Sequence, residues 1–350
     1  KTIVKRGVTE LVTPGVSYND KTLDIRANNF LASIHMEKEK AGISFLDVST
    51  GEFLVAEGTW DYVNKLLQSF SPSEVIYQKQ HKAAFTQRFA DSFFTFTLED
   101  WVFTQTYTED LLRNHFGTKS LKGFGIDTLD LGIIAAGAAL HYLNETQHNK
   151  VSHISSIHRI EESNYVWMDN FTIRNLELIQ SSGQNGVSLL DVLDQTTSPM
   201  GARMLRRWIV LPLKDQKSIQ DRLNIVGYFS DNTEVAEGLS THIKQMGDLE
   251  RLISKVATSR ICPREVVQLN RALNALVPLM DYCKKSGNKS LKELAVQLNT
   301  CDLVREKITK ELKEDAPVQI VKGNVIASGL SKELDELRAL STSAKAYLEE

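Results

Sequence analysis

Cysteine is scarce. The 350 residues hold three, Cys262, Cys283 and Cys301, with no CxxC pair among them. That spacing argues against a disulfide framework and a zinc ribbon and points to a reducing cytoplasm. No apolar run approaches the ~18 residues of a membrane span, and no secretory leader pattern is visible. A surplus of positive charge is missing too: Lys+Arg is 41 against Asp+Glu 44, a formal net charge of -3. The chain as a whole therefore lacks the field that holds a phosphate backbone, and any nucleic-acid contact must be local or lie outside it. An initiator Met is absent, and the text stops at "AKAYLEE" inside an unfinished helical pattern. An excised piece of a longer protein is expected.

Catalytic signatures are missing as well. "KKSGNKS" (284 to 290) has Tyr282 where a phosphate-cradling loop needs its first glycine, and "GFGID" (123 to 127) lacks the third glycine of a dinucleotide fingerprint. There is no G-x-S-x-G elbow, and Cys262 before Pro263 reads as a helix-start residue rather than a nucleophile. His141, His148, His153 and His158 are spaced by seven, five and five, which suits no single helical face and no metal-ligand pattern. Ordinary histidines around an interdomain linker are expected. Two-metal nuclease chemistry needs converging carboxylates, typically one in the middle of the first strand, and "FLASIHM" carries none. Asp47 in the second strand is expected to serve a turn or face solvent.

What is present divides into two halves. At ~100 to 200 residues per domain the length allows two or three domains. "NNFLASIHM" (28 to 36), "AGISFLDVS" (41 to 49) and "GEFLVAEG" (51 to 58) predict three adjacent strands in an antiparallel meander. "TWDYVNKLLQSF" (59 to 70) sets Val63, Leu66, Leu67 and Phe70 on one helical face, and "EVIYQ" (74 to 78) predicts a strand returning parallel. "LGIIAAGAALHYLNETQ" (131 to 147) predicts a helix whose small residues pack closely on the sheet. From about 150, segments 218–231, 248–260, 263–285 and 290–299 carry apolar residues at helical spacing, with Leu269, Leu273, Leu276 and Met280 on one face. In the last segment, Leu330, Leu334, Leu337, Ser341, Ala344 and Leu348 follow a four-three rhythm, either a coiled-coil seam or a bundle helix. The expectation is a multidomain chain: an N-terminal α/β domain with a mixed sheet, then an all-α domain with long helices.

The densest stretch is "TTSPMGARMLRRWIVLPLKD" (196 to 215). Ser198 and Pro199 predict a helix start and Pro212 its end. Met200, Met204, Leu205, Trp208 and Ile209 share one face, expected to be core. Arg203, Arg206 and Arg207 lie off it, either to contact phosphates or, as favoured here, to cover apolar surface and pair with carboxylates and carbonyls.

"SLLDVLDQTTSPMGARMLRRWIVLPLKD" (188 to 215) resembles the signature of the core, or lever, domain of MutS-type DNA mismatch repair proteins. "ELVTPGVSYND" (10 to 20), "LDVSTGEF" (46 to 53) and "HFGTKSLKGFGID" (115 to 127) resemble parts of that family's connector domain. "RNLELIQ" (174 to 180), "GDLERLISKVA" (247 to 257) and "GNVIASGLSKELDELRAL" (323 to 340) resemble successive parts of the lever. The resemblance implies residues 1–17 leading into the connector, an inactive ribonuclease H-like connector over 18–148, and a helical core or lever over 149–350, cut at the helix leading to the clamp. It also implies a noncatalytic piece of a mismatch-recognition protein, without catalytic, cofactor-binding or metal residues of its own. ATP, ADP and Mg would bind a missing ATPase domain. Partners would be mismatched double-stranded DNA, MutL and a second subunit, with MutL docking placed around Asp110 and Arg113. Pro199, Met200, Gly201, Arg203, Arg206, Arg207 and Trp208 are expected to be a structural hub, the arginines bracing helices. Two other readings stay open: a divergent ribonuclease H-like nuclease and a helical protein-binding adaptor.

Overall fold

The computed structural model describes residues 11–17, 22–89, 92–146, 151–183 and 185–349, with only the backbone described at 342 and 344–349. Contacts divide the chain into two compact units, one of residues 1–220 with 253–259 and one of 221–252 with 260–350.

The first unit is built on a six-stranded sheet. β1 (Leu31–Met36), β2 (Lys40–Asp47) and β3 (Glu52–Thr59) form the expected antiparallel meander. α1 (Trp60–Phe70) then returns the chain to β4 (Glu74–Gln78), parallel to β1. After α2 (Lys82–Phe89), β5 (Thr95–Leu98) adds parallel to β4; α3 (Gln105–Phe116) and α4 (Asp130–Glu145) follow, and β6 (His158–Arg159) pairs with β3. The order is β5-β4-β1-β2-β3-β6, a mixed sheet. Two short helices, α5 (Asn170–Asn175) and α6 (Leu189–Leu193), precede α7 (Pro199–Val210).

Both sheet faces are covered, as alternation of side chains requires. Leu31, Leu46, Val55 and Ile76 pack with α3 and α4 on one face. Ile34, Phe45, Val75 and Tyr77 pack with Val63, Leu66 and Leu67 of α1 on the other. The fit of α4 depends on two glycines. A Cβ at Gly42 would sit 2.0 Å from the Leu131 carbonyl, and one at Gly137 would sit 2.3 Å from the Thr108 Cβ of α3. Glu57 of β3 accepts from the Leu131 and Gly132 amides at 2.8 and 3.3 Å, satisfying donors that a helix start leaves open.

The second unit is helical: α8 (Gln216–Asp231), which begins in the first, α9 (Thr233–Met246), the start of α10 (Leu249–Ala257), whose residues from Ile253 belong to the first unit, then α11 (Pro263–Lys285), α12 (Lys289–Gln297), α13 (Asp302–Glu311) and α14 (Lys332–Glu349). Leu269, Leu273 and Leu276 of α11 are buried, on the face their spacing predicts. Asn288 caps α12 by accepting from the Leu291 amide. In the last segment Leu330 and Leu337 are exposed, while the side chains of Ala344 and Leu348 lie outside the described residues.

Candidate functional site: the helix begun by Ser198

α7 starts and stops where its sequence says. Ser198 Oγ accepts from the Gly201 amide at 3.1 Å, Pro199 takes the first helical position, and the helix ends at Val210, ahead of Pro212. Its buried face is another matter. Ala202, Arg203 and Val210 are buried, whereas Met204 is 54% and Trp208 41% exposed. Met200, Leu205 and Ile209 are half-buried. The expected core stripe is thus corrected: the helix turns an arginine inward. Hydropathy alone points Trp208 to the core, but a guanidinium buries readily where acceptors await it.

Those acceptors come from the sheet end of the first unit. Arg203 Nη1 donates to the Ile25 carbonyl at 2.9 Å. Arg207 Nη2 donates to Glu52 Oε2 of β3 at 2.5 Å. Asn28 Nδ2 lies 3.2 Å from the same Glu52 oxygen and 2.8 Å from Asp47 Oδ2, so a polar chain runs from α7 into the β2–β3 hairpin. From the other side Arg26 reaches across to the turn before α7, pairing with Asp194 at 2.6 Å and donating to Thr196 Oγ1 at 2.9 Å. Burial alone would raise the Asp194 carboxyl, but hydrogen bonds from Arg26 and Thr196 hold it below the usual carboxylate value. Arg206 lies between: burial pushes it below the ordinary arginine value, against the pull of Asp24 and Asp191. Arg203 meets a carbonyl and Arg207 a carboxylate, and both tie α7 to the sheet end.

Asp47 is fully buried, accepting from the Asn29 amide, the Asn28 side chain, and the Ser49 amide and hydroxyl. It holds the turn into β3, and its lone pairs are already occupied, which disfavours a nuclease ligand. The histidines are dispersed. His141 Nδ1 lies 2.7 Å from the Tyr107 hydroxyl, His153 Nε2 meets the Val48 carbonyl at 2.7 Å, His158 is exposed in β6, and His148 falls outside the described residues. Among the described residues no three His, Cys, Asp or Glu are grouped to hold a metal ion.

Asp110 and Arg113 do come together, one turn apart on α3 and 3.9 Å apart, with Arg113 also paired to Glu109. Thr108 and Leu112 form the buried side of that helix. The residues that sequence reasoning missed are Arg26, Asn28, Glu52 and Asp194. Glu52 and Arg207 are 155 positions apart, and no local pattern marks such a pair; Asn28, Glu52 and Asp194 lay within quoted segments without being singled out.

Two family models cover most of the chain, MutS domain II over residues 29–155 and MutS domain III over residues 171–350. The chain belongs to the MutS family. DNA mismatch repair protein MutS of Flavobacterium psychrophilum is 57% identical over 349 residues, spanning 100% of this chain and 40% of that protein. The proteins of the same name from Christiangramia forsetii and Parabacteroides distasonis are each 55% identical, over 349 and 348 residues. The chain thus spans about two fifths of the length of these relatives. The two matched domains are the ones that the clasp around α7 ties together, since Glu52 and Asn28 stand at or beside the domain II match and Arg203 and Arg207 within domain III. No helix among the described residues is long and apolar enough to cross a membrane.

Proposed function

We propose that this chain is the transmission section of a cytoplasmic DNA mismatch-recognition protein, relaying conformational signals between its mismatch-binding and ATPase parts. In this reading residues 18–148 are the connector and 149–350 the core or lever. The section performs no catalysis itself, and ATP, ADP and Mg act in the ATPase domain of the whole protein. The single observation that carries the reading is the clasp: Arg203, Arg207, Arg26 and Asp194 join the domain III helix α7 and the turn before it to the end of β3 and the segment before β1 by charge-assisted bonds. A relay needs a joint through which a rotation of one part biases the other, and a joint made of directional polar bonds has discrete arrangements.

In the whole protein, a homodimer around mismatched double-stranded DNA, the exposed Asp110 and the half-buried Arg113 on α3 contribute to MutL docking. The test of the relay is to replace Arg26 and Arg207 by Gln in the full-length protein and measure mismatch-stimulated ADP release. Retained mismatch binding with lost stimulation supports the relay; unchanged stimulation removes it.

A further inference from the structure

Two clefts open on the flank of α7, and Arg206 and Ser69 line both. The larger, about 140 Å³, is walled by Gln68, Ser69, Asn170, Arg174, Gln180 and Arg206 among others. The smaller, about 30 Å³, adds Asn28, Arg203 and Arg207. No Asp or Glu lines either one. Each exceeds the ~10–15 Å³ that one water requires.

The polar groups facing this space are not all satisfied. Among the described residues Ser69 Oγ is buried without a hydrogen-bond partner, a state that is costly in a folded protein. Arg206 differs from its neighbours: Arg203 has the Ile25 carbonyl and Arg207 has Glu52, whereas among the described residues the Arg206 guanidinium makes no hydrogen bond. Asp24 and Asp191 act on it only through space, and burial outweighs their pull, holding it below the ordinary arginine value while it stays charged. At the C-terminal end of α1 the Leu67 and Gln68 carbonyls are already engaged, by the Ser71 amide and the Ser71 hydroxyl. The half-buried Arg206 guanidinium, without a hydrogen bond among the described residues, and the unpartnered Ser69 hydroxyl thus belong to side chains that line the same carboxylate-free clefts. A negatively charged ligand rich in acceptors, and small enough for the larger cleft, would satisfy both.

We propose that Arg206 and Ser69 form the head of a binding site for a tetrahedral oxyanion, a phosphate group, with Arg174, Gln68, Gln180 and Asn170 around its rim. Phosphate offers several acceptor oxygens to a planar guanidinium fork and a hydroxyl at once. Bound there, it would neutralise the charge that α7 carries into the sheet domain, linking clasp stability to phosphate concentration.

The experiment is calorimetric titration of the full chain with inorganic phosphate at constant ionic strength and neutral pH, with deoxyadenosine 5′-monophosphate as a second arm. The expected result is one saturable site. Arg206→Gln weakens it by about ten- to a hundredfold and Ser69→Ala by roughly three- to tenfold, while Lys289→Gln on α12 leaves it unchanged. Binding of free phosphate alone identifies the inorganic ion as the source, and equal binding of the monophosphate identifies a phosphate monoester. Absence of saturable binding, unchanged affinity in Ser69→Ala, or acetate binding as tightly as phosphate overturns the assignment. Should Arg206→Gln not fold, Ser69→Ala and protection of Arg206 from phenylglyoxal by phosphate carry the test.

Discussion

The Glu52 carboxylate of β3 and the Arg207 guanidinium of α7 meet at 2.5 Å across 155 residues of sequence. Both side chains are less than a third exposed, 22% and 31%, so solvent screens the pair less than it would a surface pair. Asn28 ties Glu52 to the buried Asp47, which makes the pair the outer end of a network. Truncating both partners singly and together, Glu52→Gln and Arg207→Gln, is expected to give a coupling energy of about 1–2 kcal/mol in urea unfolding. Additive effects would show that the two groups do not act on each other.

Arg203 and Trp208 reverse the ranking that hydropathy predicts. Arg203 is 4% exposed and Trp208 41%. Arg203→Ala removes buried packing and the bond to the Ile25 carbonyl, and is expected to cost about 3 kcal/mol. Trp208→Ala is expected to cost about 1 kcal/mol, well short of the 3–5 kcal/mol typical of a buried aromatic. Melting temperatures of the two variants check the order. A larger loss for Trp208→Ala contradicts the orientation given to α7.

Gly42 tests how tightly α4 sits on the sheet. A Cβ there would lie 2.0 Å from the Leu131 backbone, while one at Gly123 meets nothing within 4 Å. Gly42→Ala is expected to destabilise by roughly 4 kcal/mol or more, and Gly123→Ala by less than about 0.5 kcal/mol. Chemical denaturation of both variants provides the comparison.

Acidification should loosen the sheet domain through His35 and His153. Burial lowers both below the ordinary histidine value of 6.5, the largest cause in each case. The unfolded chain therefore takes up protons first: the stability that neutral histidine contributes is complete above pH 6.5 and is lost as pH falls from there through the lower folded values. His153→Gln, able to keep an amide donor near the Val48 carbonyl, is expected to flatten the decline in stability below neutral pH. An unchanged slope would show that His153 does not contribute to it.

Much of the fold was legible because its signals are local. The meander, the return strand at 74–78 and the small-residue helix at 131–145 each advertise themselves within a dozen residues, and the Ser198 and Pro199 start of α7 needs only its immediate neighbours. β5 was not legible, since its "TFTL" leaves Thr95 and Phe96 exposed and is too short to alternate. The orientation of α7 was not legible either. The acceptors that draw Arg203 inward lie at Ile25, far away in sequence, and nothing in the helix itself announces them. The same distance hid Glu52 and Arg26, so the arginines were visible in the sequence while their task was not.

The central claim is that the clasp transmits state between the two domains, and charge reversal with rescue in the full-length protein tests it most directly. Glu52→Arg and Arg207→Glu, each alone, are expected to lower mismatch-stimulated ADP release by about tenfold, roughly 1.4 kcal/mol of lost coupling, with mismatch binding retained. The double variant, which restores an opposite-charge pair, should recover most of the stimulation. Normal stimulation in both single variants would contradict the account.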